Sequence, residues 1–191
     1  VSNVTIAPKG FYTEKPTYFS VALPEGNYSV EVTIGSNEKD SNVTLKAESR
    51  RLMLNQFSVK KGSQVTKTFN VNIRNPQIDT TSKISLKDRD LSVFNWDDKL
   101  TLEFLGIANI QSIKITPVTT IPVIYLAGDS TVTDQDVEPW ASWGQFITNY
   151  FDDKVVVANY AVSGSALSSF KSSNRLKKIN SLIKPGDYLF I

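Results

Sequence analysis

The sequence predicts two successive domains: an all-β sandwich of jelly-roll type, followed by the first β-α-β part of an α/β domain. Three observations support this order. Apolar and polar residues alternate in short runs before residue 117, prolines stand at 117 and 122, and short apolar runs then alternate with helical spacings. A period of two is typical of strands with one buried face, whereas a continuous apolar run is typical of a parallel strand covered on both faces. We therefore divide the chain into a sandwich at residues 1–117, a linker at 118–122 and an α/β part at 123–191.

The sandwich is predicted from its alternating runs and from the turn residues between them. The runs lie at residues 28–34, 43–47, 69–73, 100–104 and 113–115. Turn-forming residues separate them at 24–27, 35–37, 61–63, 75–76 and 106. No amphipathic helix is indicated before residue 120. We expect roughly eight or nine short strands, which is the pattern of a jelly-roll sandwich.

Beyond the linker, strands and helices alternate. A continuous apolar run at 123–127 and a β-branched run at 154–160 predict two buried parallel strands, and residues 187–191 begin a third. An amphipathic helix is expected over 140–151, since apolar residues recur there at helical spacing: Trp143, Phe146, Ile147, Tyr150 and Phe151. A second helix is predicted at 176–183, before a Pro-Gly pair. Because sheets usually have roughly four to six strands, we expect this sheet to be incomplete.

Composition restricts the chemistry mainly through absences. The 191 residues carry a formal net charge of +2 without a basic cluster, so nucleic-acid binding is not indicated. No apolar run approaches the roughly eighteen residues of a membrane span. The chain contains neither cysteine nor histidine, which excludes disulfides, thiol chemistry and histidine-ligated metal sites. It also excludes the imidazole base that most serine hydrolases use to deprotonate their nucleophile.

Gly128-Asp129-Ser130 follows the first predicted parallel strand directly. Open α/β sheets bind ligands beyond the carboxyl ends of their strands, so a serine here can present its hydroxyl to a substrate. Gly128 permits a sharp turn, and the Asp129 side chain is expected to organise that turn rather than to accept a proton. A plain structural turn remains the alternative, because three residues alone are a weak signal.

A second loop, residues 159–165, follows the next predicted strand. Gly164 has no side chain, so its backbone N–H can face the same crevice as Ser130 and help to bind an oxyanion. The alternative is a serine- and glycine-containing loop that only turns the chain. Two strand-end loops of this kind strengthen the functional interpretation of both.

The order of these segments resembles that of the SGNH (GDSL-type) hydrolases, in particular the rhamnogalacturonan acetylesterase branch. Residues 125–132 are similar to the first block of the superfamily, 141–145 to the segment after it, 159–170 to the second block and 183–191 to the strand before the third. The resemblance implies a flavodoxin-like α/β fold with Ser130 as nucleophile. It also implies that the N–H groups of Ser130 and Gly164 form part of the oxyanion hole, with Gly128 and Asp129 supporting the turn.

Two features depart from the family pattern. The asparagine block and the Asp-x-x-His block, which complete the oxyanion hole and supply the base, are not present in this chain. We therefore expect a chain that is truncated within the catalytic domain and inactive by itself. Ser165 stands where many relatives carry a basic residue, so it is only a weak candidate for substrate contact.

Residues 18–32, 49–54 and 96–100 resemble the galactose-binding-like domain that precedes some bacterial rhamnogalacturonan acetylesterases. Trp96 is a weak candidate for stacking on a sugar ring, and filling the sandwich core is the favoured alternative. Arg50 and Arg51 are candidates for contacts with acidic pectin sugars. Roles at a solvated surface or at a domain interface are equally open for both arginines.

The resemblance implies a secreted or periplasmic bacterial carbohydrate esterase that removes acetyl groups from pectin-type polysaccharide through a serine acyl-enzyme. It implies no metal and no cofactor, and its partner would be an acetylated polysaccharide. The alternatives are a non-catalytic carbohydrate-binding module with an SGNH remnant, or an SGNH esterase acting on another acetylated glycan. Nothing in the sequence indicates an oligomeric state.

Overall fold

The computed structural model describes residues 4–6 and 10–191. Its larger part is an eight-stranded antiparallel sheet that curls around its longest strand, β8. The strands are β1 (Val4–Ile6), β2 (Phe11–Thr13), β3 (Thr17–Ala22), β4 (Gly26–Ser36), β5 (Ser41–Ala47), β6 (Arg51–Val59), β7 (Ser63–Ile73) and β8 (Lys99–Pro117). The first half of β8 pairs with β3 and β5, and its second half pairs with β1, β2 and β4.

The alternating sequence of these strands determines which side chains face inward. In β4 every second residue from Tyr28 to Ile34 is buried, and its polar neighbours are only partly covered. The inward side chains of β4, β5, β7 and β8 form one hydrophobic cluster, which contains no residue beyond Ile115. The predicted runs at 28–34, 43–47 and 69–73 are therefore strands, and the chain is mostly β. Its jelly-roll topology and its division into two domains stay predictions.

Gly106 is not the turn that its residue type suggested. It lies within the continuous strand β8, so the predicted runs at 100–104 and 113–115 belong to a single strand. Its φ of +86° and its closeness to β5 both require glycine, because a Cβ at this position would lie 2.2 Å from the Asn42 carbonyl oxygen. On either side of this residue β8 pairs with different strands, β3 and β5 before it and β1, β2 and β4 after it.

The remaining strands form a three-stranded parallel sheet in the order β10-β9-β11. They are β9 (Val123–Leu126), β10 (Val156–Asn159) and β11 (Tyr188–Phe190), as the apolar runs predicted. Hydrophobic clusters cover both faces of this sheet, one around Val123 and Tyr125 and the other around Ile124 and Leu126. The connecting helices are α1 (Trp143–Phe146), α2 (Leu167–Ser172) and α3 (Arg175–Leu182).

The helix predicted over 140–151 is shorter and buries a different face. α1 continues as a 3-10 helix over Ile147–Tyr150. Two of its aromatic residues are substantially exposed, Trp143 by 46% and Tyr150 by 82%. The residues that it buries are instead small or polar, namely Gly144, Gln145 and Thr148. In the part of the chain that the structure describes, no helix is long and apolar enough to cross a membrane.

Residues 74–98, here called the connecting segment, join β7 to β8 but pack against the parallel sheet. The segment contains two 3-10 helices, Asp88–Ser92 and Phe94–Trp96, that the sequence did not indicate. Ile84 is buried in the cluster around Val123 and Tyr125, and Trp96 packs against the same cluster. Side chains that precede the predicted linker therefore complete the core of the parallel sheet.

Candidate active site

Two loops meet beyond the carboxyl ends of the adjacent strands β9 and β10. In the first loop, Asp129 accepts hydrogen bonds at Oδ1 from the Thr131 backbone N–H and hydroxyl, both at 2.9 Å. The backbone hydrogen bond from Thr131 is the main cause that lowers the pKa of the Asp129 carboxyl. The backbone carbonyl of Asp129 accepts a hydrogen bond of 3.0 Å from the N–H of Thr133. Asp129 is thus placed as a turn-organising carboxylate.

Ser130 is exposed at the outer end of this first loop. Its carbonyl oxygen accepts a hydrogen bond of 2.8 Å from Gln135 Nε2, which closes the loop behind it. Gly128 approaches the neighbouring loop, where its carbonyl accepts from the Val162 N–H at 3.0 Å. A Cβ on Gly128 would lie 2.6 Å from Val132 Cγ2, so the tight turn before Ser130 requires glycine.

Asn159, the last residue of β10, ties the second loop to the first. Its side-chain nitrogen donates to the Val132 carbonyl at 2.6 Å and to Asp134 Oδ1 at 2.9 Å. Its side-chain oxygen accepts from the Ala161 N–H at 3.1 Å. Asn159 is 1% exposed, so these bonds are shielded from water and hold the loops in one arrangement.

Gly164, the predicted oxyanion donor, lies in the second loop with φ +69°. Lys87 Nζ, from the connecting segment, donates a hydrogen bond of 2.7 Å to the Ser163 carbonyl. This carbonyl and the Gly164 N–H belong to one planar peptide unit, so fixing the oxygen also fixes the direction of the N–H. A cation on the oxygen also polarises the peptide and makes its N–H a stronger donor. No local sequence pattern indicated Lys87.

A buried carboxylate anchors the first loop to the antiparallel sheet. Asp134 Oδ2 lies 3.1 Å from Arg51 Nε and 3.2 Å from Arg74 Nη2, and all three side chains are at most 2% exposed. Removing one partner of a buried ion pair typically costs about 3–5 kcal/mol, because the other charge is left unpaired. The loop that carries Ser130 is thereby fixed to β6 and to the start of the connecting segment.

Arg50 and Arg51 both lie at the boundary between the antiparallel sheet and the α/β part. Arg50 Nη1 donates to the carbonyls of Gln135 and Trp140, at 3.1 and 3.0 Å. Arg51, besides its pair with Asp134, donates to the Asn72 carbonyl at 3.0 Å. The contacts of both arginines therefore join the antiparallel sheet to the segment that follows Ser130.

Trp96 does not fill the core of the antiparallel sheet, which was the favoured expectation. Two guanidinium groups lie over its ring, with Arg74 Cζ 4.9 Å and Arg175 Cζ 5.1 Å from the ring centroid. Trp96 also meets Tyr160 edge-on, with ring centroids 5.8 Å apart. These cation–π and aromatic contacts hold Trp96 against the parallel sheet rather than in the core of the antiparallel sheet.

An open cavity of about 430 Å³ lies beside both loops. Gly128, Asp129 and Thr131 line it from the first loop, and Ser165 lines it from the second. Ser130 and Gly164 directly adjoin lining residues but do not line it themselves. Ser165, the weak candidate for substrate contact, is thus at the cavity wall. Within residues 10–191, no three acidic, histidine or cysteine side chains are grouped in a way that would hold a metal ion.

Comparison with known sequences identifies esterases. No family model matches the chain. The uncharacterized esterase YxiM of Bacillus subtilis (strain 168) is 29% identical over 184 residues, which cover 94% of this chain and 43% of that protein. The rhamnogalacturonan acetylesterase RhgT of the same organism is 43% identical over 70 residues, 36% of this chain and 30% of RhgT. A rhamnogalacturonan acetylesterase of Emericella nidulans is 29% identical over 82 residues.

The relatives of this chain are esterases. The chain spans less than half the length of the curated relatives that it matches. Among solved structures, the crystal structure of B. subtilis YxiM is similar over 90% of this chain and 44% of its own, at 25% identity and a TM-score of 0.36. The structure of a family two carbohydrate esterase from Cellvibrio japonicus aligns with 87% of this chain over 54% of its own chain, at 12% identity and a TM-score of 0.24.

Proposed function

We propose that this chain provides the nucleophile and part of the oxyanion hole of a serine carbohydrate esterase that removes acetyl groups from pectin-type polysaccharide. Ser130 is the nucleophile, and its own N–H and that of Gly164 stabilise the oxyanion. The Ser130 hydroxyl oxygen attacks the acetyl carbonyl carbon, the ester bond to the sugar oxygen breaks, and the sugar leaves as an alcohol with the proton that the serine gave up. Water then hydrolyses the acetyl-serine to acetate and free serine. Ser165 contacts the substrate at the cavity wall. The protein acts outside the cytoplasm, where its polysaccharide is found.

One observation carries this proposal: the serine-bearing loop and the glycine-bearing loop meet at the carboxyl ends of adjacent parallel strands. Gly128 O and Val162 N join the loops at 3.0 Å, beside the cavity that Asp129 and Ser165 line. Relatives named as rhamnogalacturonan acetylesterases support the proposed substrate class.

The proposal includes inactivity of the 191-residue chain alone. A serine hydroxyl is a weak nucleophile at its free pKa and needs a base to remove its proton. The chain contains no histidine. Asp129, the nearest carboxylate in sequence, already accepts two hydrogen bonds from Thr131.

An acetate-release assay and acetylation mapping test the two halves of the proposal separately. With an activated aryl acetate, the chain alone should release no more acetate than Ser130→Ala. With imidazole added as an external base, the aryl acetate should then transfer its acetyl group to Ser130 faster than to Ser168, an exposed serine that serves as internal control. Peptide mass spectrometry locates the acetyl group.

The outcomes that would contradict the proposal differ for its two halves. Clear activity that is lost in Ser130→Ala would contradict inactivity of the isolated chain. Acetylation of Ser130 no faster than of Ser168 would contradict its role as nucleophile and favour the alternative of a non-catalytic carbohydrate-binding module. Deacetylation of another acetylated glycan, but not of rhamnogalacturonan, would change the substrate class alone.

A further inference from the structure

A second cleft, of about 390 Å³, lies on the outer face of the antiparallel sheet. Its floor consists of three side chains in register on neighbouring strands: Tyr18 of β3 and Lys46 of β5 both pair with Glu103 of β8. Leu102 and Phe104, on either side of Glu103, point into the hydrophobic core, so the three floor residues face away from it. The connecting segment and the loop after Ser130 form the walls.

Two aromatic rings line this cleft without being buried. Tyr18 is 55% exposed and Phe94 is 42% exposed. Their ring centroids are 5.8 Å apart and their planes meet at 51°, which makes an angled apolar corner. Neither ring belongs to a hydrophobic cluster of the described residues. Exposed aromatic pairs at a concave surface are typical of ligand sites, because they offer rigid contact area.

Polar groups surround the aromatic corner. The Tyr18 hydroxyl donates to Glu103 Oε1 at 3.0 Å, and Lys46 Nζ lies 4.0 Å from Glu103 Oε2. Ser49, which is 3% exposed, also lines the cleft, and its hydroxyl has no hydrogen-bond partner among the described residues. A sugar presents apolar C–H faces to aromatic rings and hydroxyl groups that both donate and accept. This combination matches the lining.

The charges of the lining select against an acidic ligand. Besides the buried Glu48, the lining has two basic side chains, Lys46 and Arg50, and three acidic ones: Glu103, Asp136 and Glu138. Arg50 is already paired with Glu138 at 3.2 Å. A uronic acid carboxylate would therefore meet like charge, whereas the hydroxyls of a neutral sugar find acceptors.

We propose that this cleft binds a neutral pyranose unit of a polysaccharide, with Tyr18 and Phe94 contacting its apolar face. The wall residues Asp136 and Glu138 belong to the same loop as Gln135, whose side chain holds the Ser130 carbonyl at 2.8 Å. The cleft and the proposed nucleophile therefore share one loop. Sugar binding itself goes beyond the proposed esterase activity, since it requires no reaction at Ser130.

Calorimetric titration of the 191-residue chain tests the proposal. A neutral galacto-oligosaccharide should bind about tenfold or more tightly than an oligogalacturonide of equal length. Tyr18→Ala and Phe94→Ala should each weaken binding about ten- to thirtyfold, as expected for central aromatic contacts. Tyr12→Ala is the matched control, because Tyr12 is 43% exposed and lies outside the cleft.

Surface variants keep the test decisive if either alanine variant fails to fold. Asp136→Asn and Glu138→Gln change exposed side chains. Each should reduce the difference in affinity between the neutral sugar and the oligogalacturonide. No binding of the neutral sugar, or equal binding by the two aromatic variants and wild type, would refute the proposal. Ser130→Ala should bind like wild type; a loss there would instead place the sugar in the cavity beside Ser130. If Ser130 is not acetylated in the assay of the proposed esterase function, the sugar-binding results can still be interpreted, because they do not depend on that reaction.

Discussion

Glu48 shows how burial and charge compete at a single residue. The residue is 3% exposed, and burial raises the pKa of its carboxyl to about 7, whereas Arg51 lowers it. Burial prevails because Arg51 lies closer to Asp134, at 3.1 Å, than to Glu48, at 3.7 Å. The guanidinium is therefore shared between two carboxylates, and Glu48 receives the weaker part of its charge.

This competition predicts a pH-dependent stability. The pKa of Glu48 is about 7 in the folded chain and near its ordinary 4.5 in the unfolded chain, so the folded state binds the proton more tightly. Stability contributed by this proton is fully present below about pH 4.5 and is lost as the pH rises towards 7, by at most about 1.4 kcal/mol per pH unit. In urea titrations between pH 4.5 and 8, Glu48→Gln should remove this slope.

Glu138→Gln is the matched control, since its side chain is 76% exposed. It should follow the wild-type pH profile. The chain contains no histidine, so no imidazole contributes to the same range. Parallel profiles of wild type and Glu48→Gln across this range would show that Glu48 titrates normally.

At the candidate site, sequence reasoning identified residues within short motifs but not the residues that hold them. Ser130 and Gly164 were predicted because each lies in a loop that follows a buried strand. Arg74 meets Asp134 from sixty positions away, and such pairs leave no local pattern. Lys87 was missed for the same reason.

Among the helices, α1 shows how a glycine allows two elements to pack closely. Its residue Gly144 lies directly on the loop that carries Ser130: a Cβ there would be 2.0 Å from the Val132 carbonyl oxygen and 2.9 Å from Asn159 Nδ2. The N–H of Trp143, at the start of the helix, donates to the Thr131 carbonyl at 3.2 Å. The short helix and the loop therefore form one packed unit.

Gly144→Ala should destabilise the chain by about 1–3 kcal/mol, because helix and loop must move apart. Alanine normally stabilises a helix relative to glycine, so the expected sign is opposite to the intrinsic preference. Urea unfolding measures the loss, and amide exchange should speed up at residues 131–134. Gly26→Ala is the control: it shares the glycine change, but its Cβ would make only ordinary contacts, the nearest 3.5 Å from Tyr28 Cε2, so it should destabilise the chain much less. Stabilisation by Gly144→Ala would contradict the described packing.

Whole strands were easier to predict than helices or irregular segments. In β4 and β5 the alternation of apolar and polar residues matches the alternation of buried and partly exposed side chains, so a period of two was enough to predict them. The aromatic spacing at 143–151 suggested a buried helical face, yet α1 packs through Gly144 and Gln145 instead. The connecting segment has no periodicity, and only its contacts show that it crosses to the other sheet.

For the molecule as a whole, the two sheets have separate hydrophobic clusters but share a boundary of specific contacts. Asn70 of β7 donates to the carbonyl of Asp153 at 2.7 Å, and the Thr148 hydroxyl donates to the Leu52 carbonyl at 2.6 Å. Ile84, which is 1% exposed, is inserted into the cluster of the parallel sheet. The second sheet therefore depends on the first more than the reverse.

Fragments should display this asymmetry. Residues 1–117 contain every member of the first cluster and should unfold cooperatively on heating, as followed by circular dichroism. Residues 118–191, made alone, lack Ile84 and Trp96 and should show no cooperative transition. As a control, the full-length chain is folded first and then cut at a protease site engineered within 118–122. Its two pieces should stay together and elute as one complex on gel filtration. Cooperative unfolding of isolated 118–191 would contradict the dependence.

The path of the connecting segment also bears on how such proteins recombine. If two related genes recombined at the codons of the proline-rich linker, the product would receive Ser130 and Gly164 from one parent. Lys87, which donates a hydrogen bond of 2.7 Å to the Ser163 carbonyl, would come from the other parent. Such a recombination would also separate Asp134 from both of its arginines. A chimera that grafts this α/β part onto a foreign sandwich should therefore inherit residues 74–98 as well, and the exchangeable module is discontinuous in sequence.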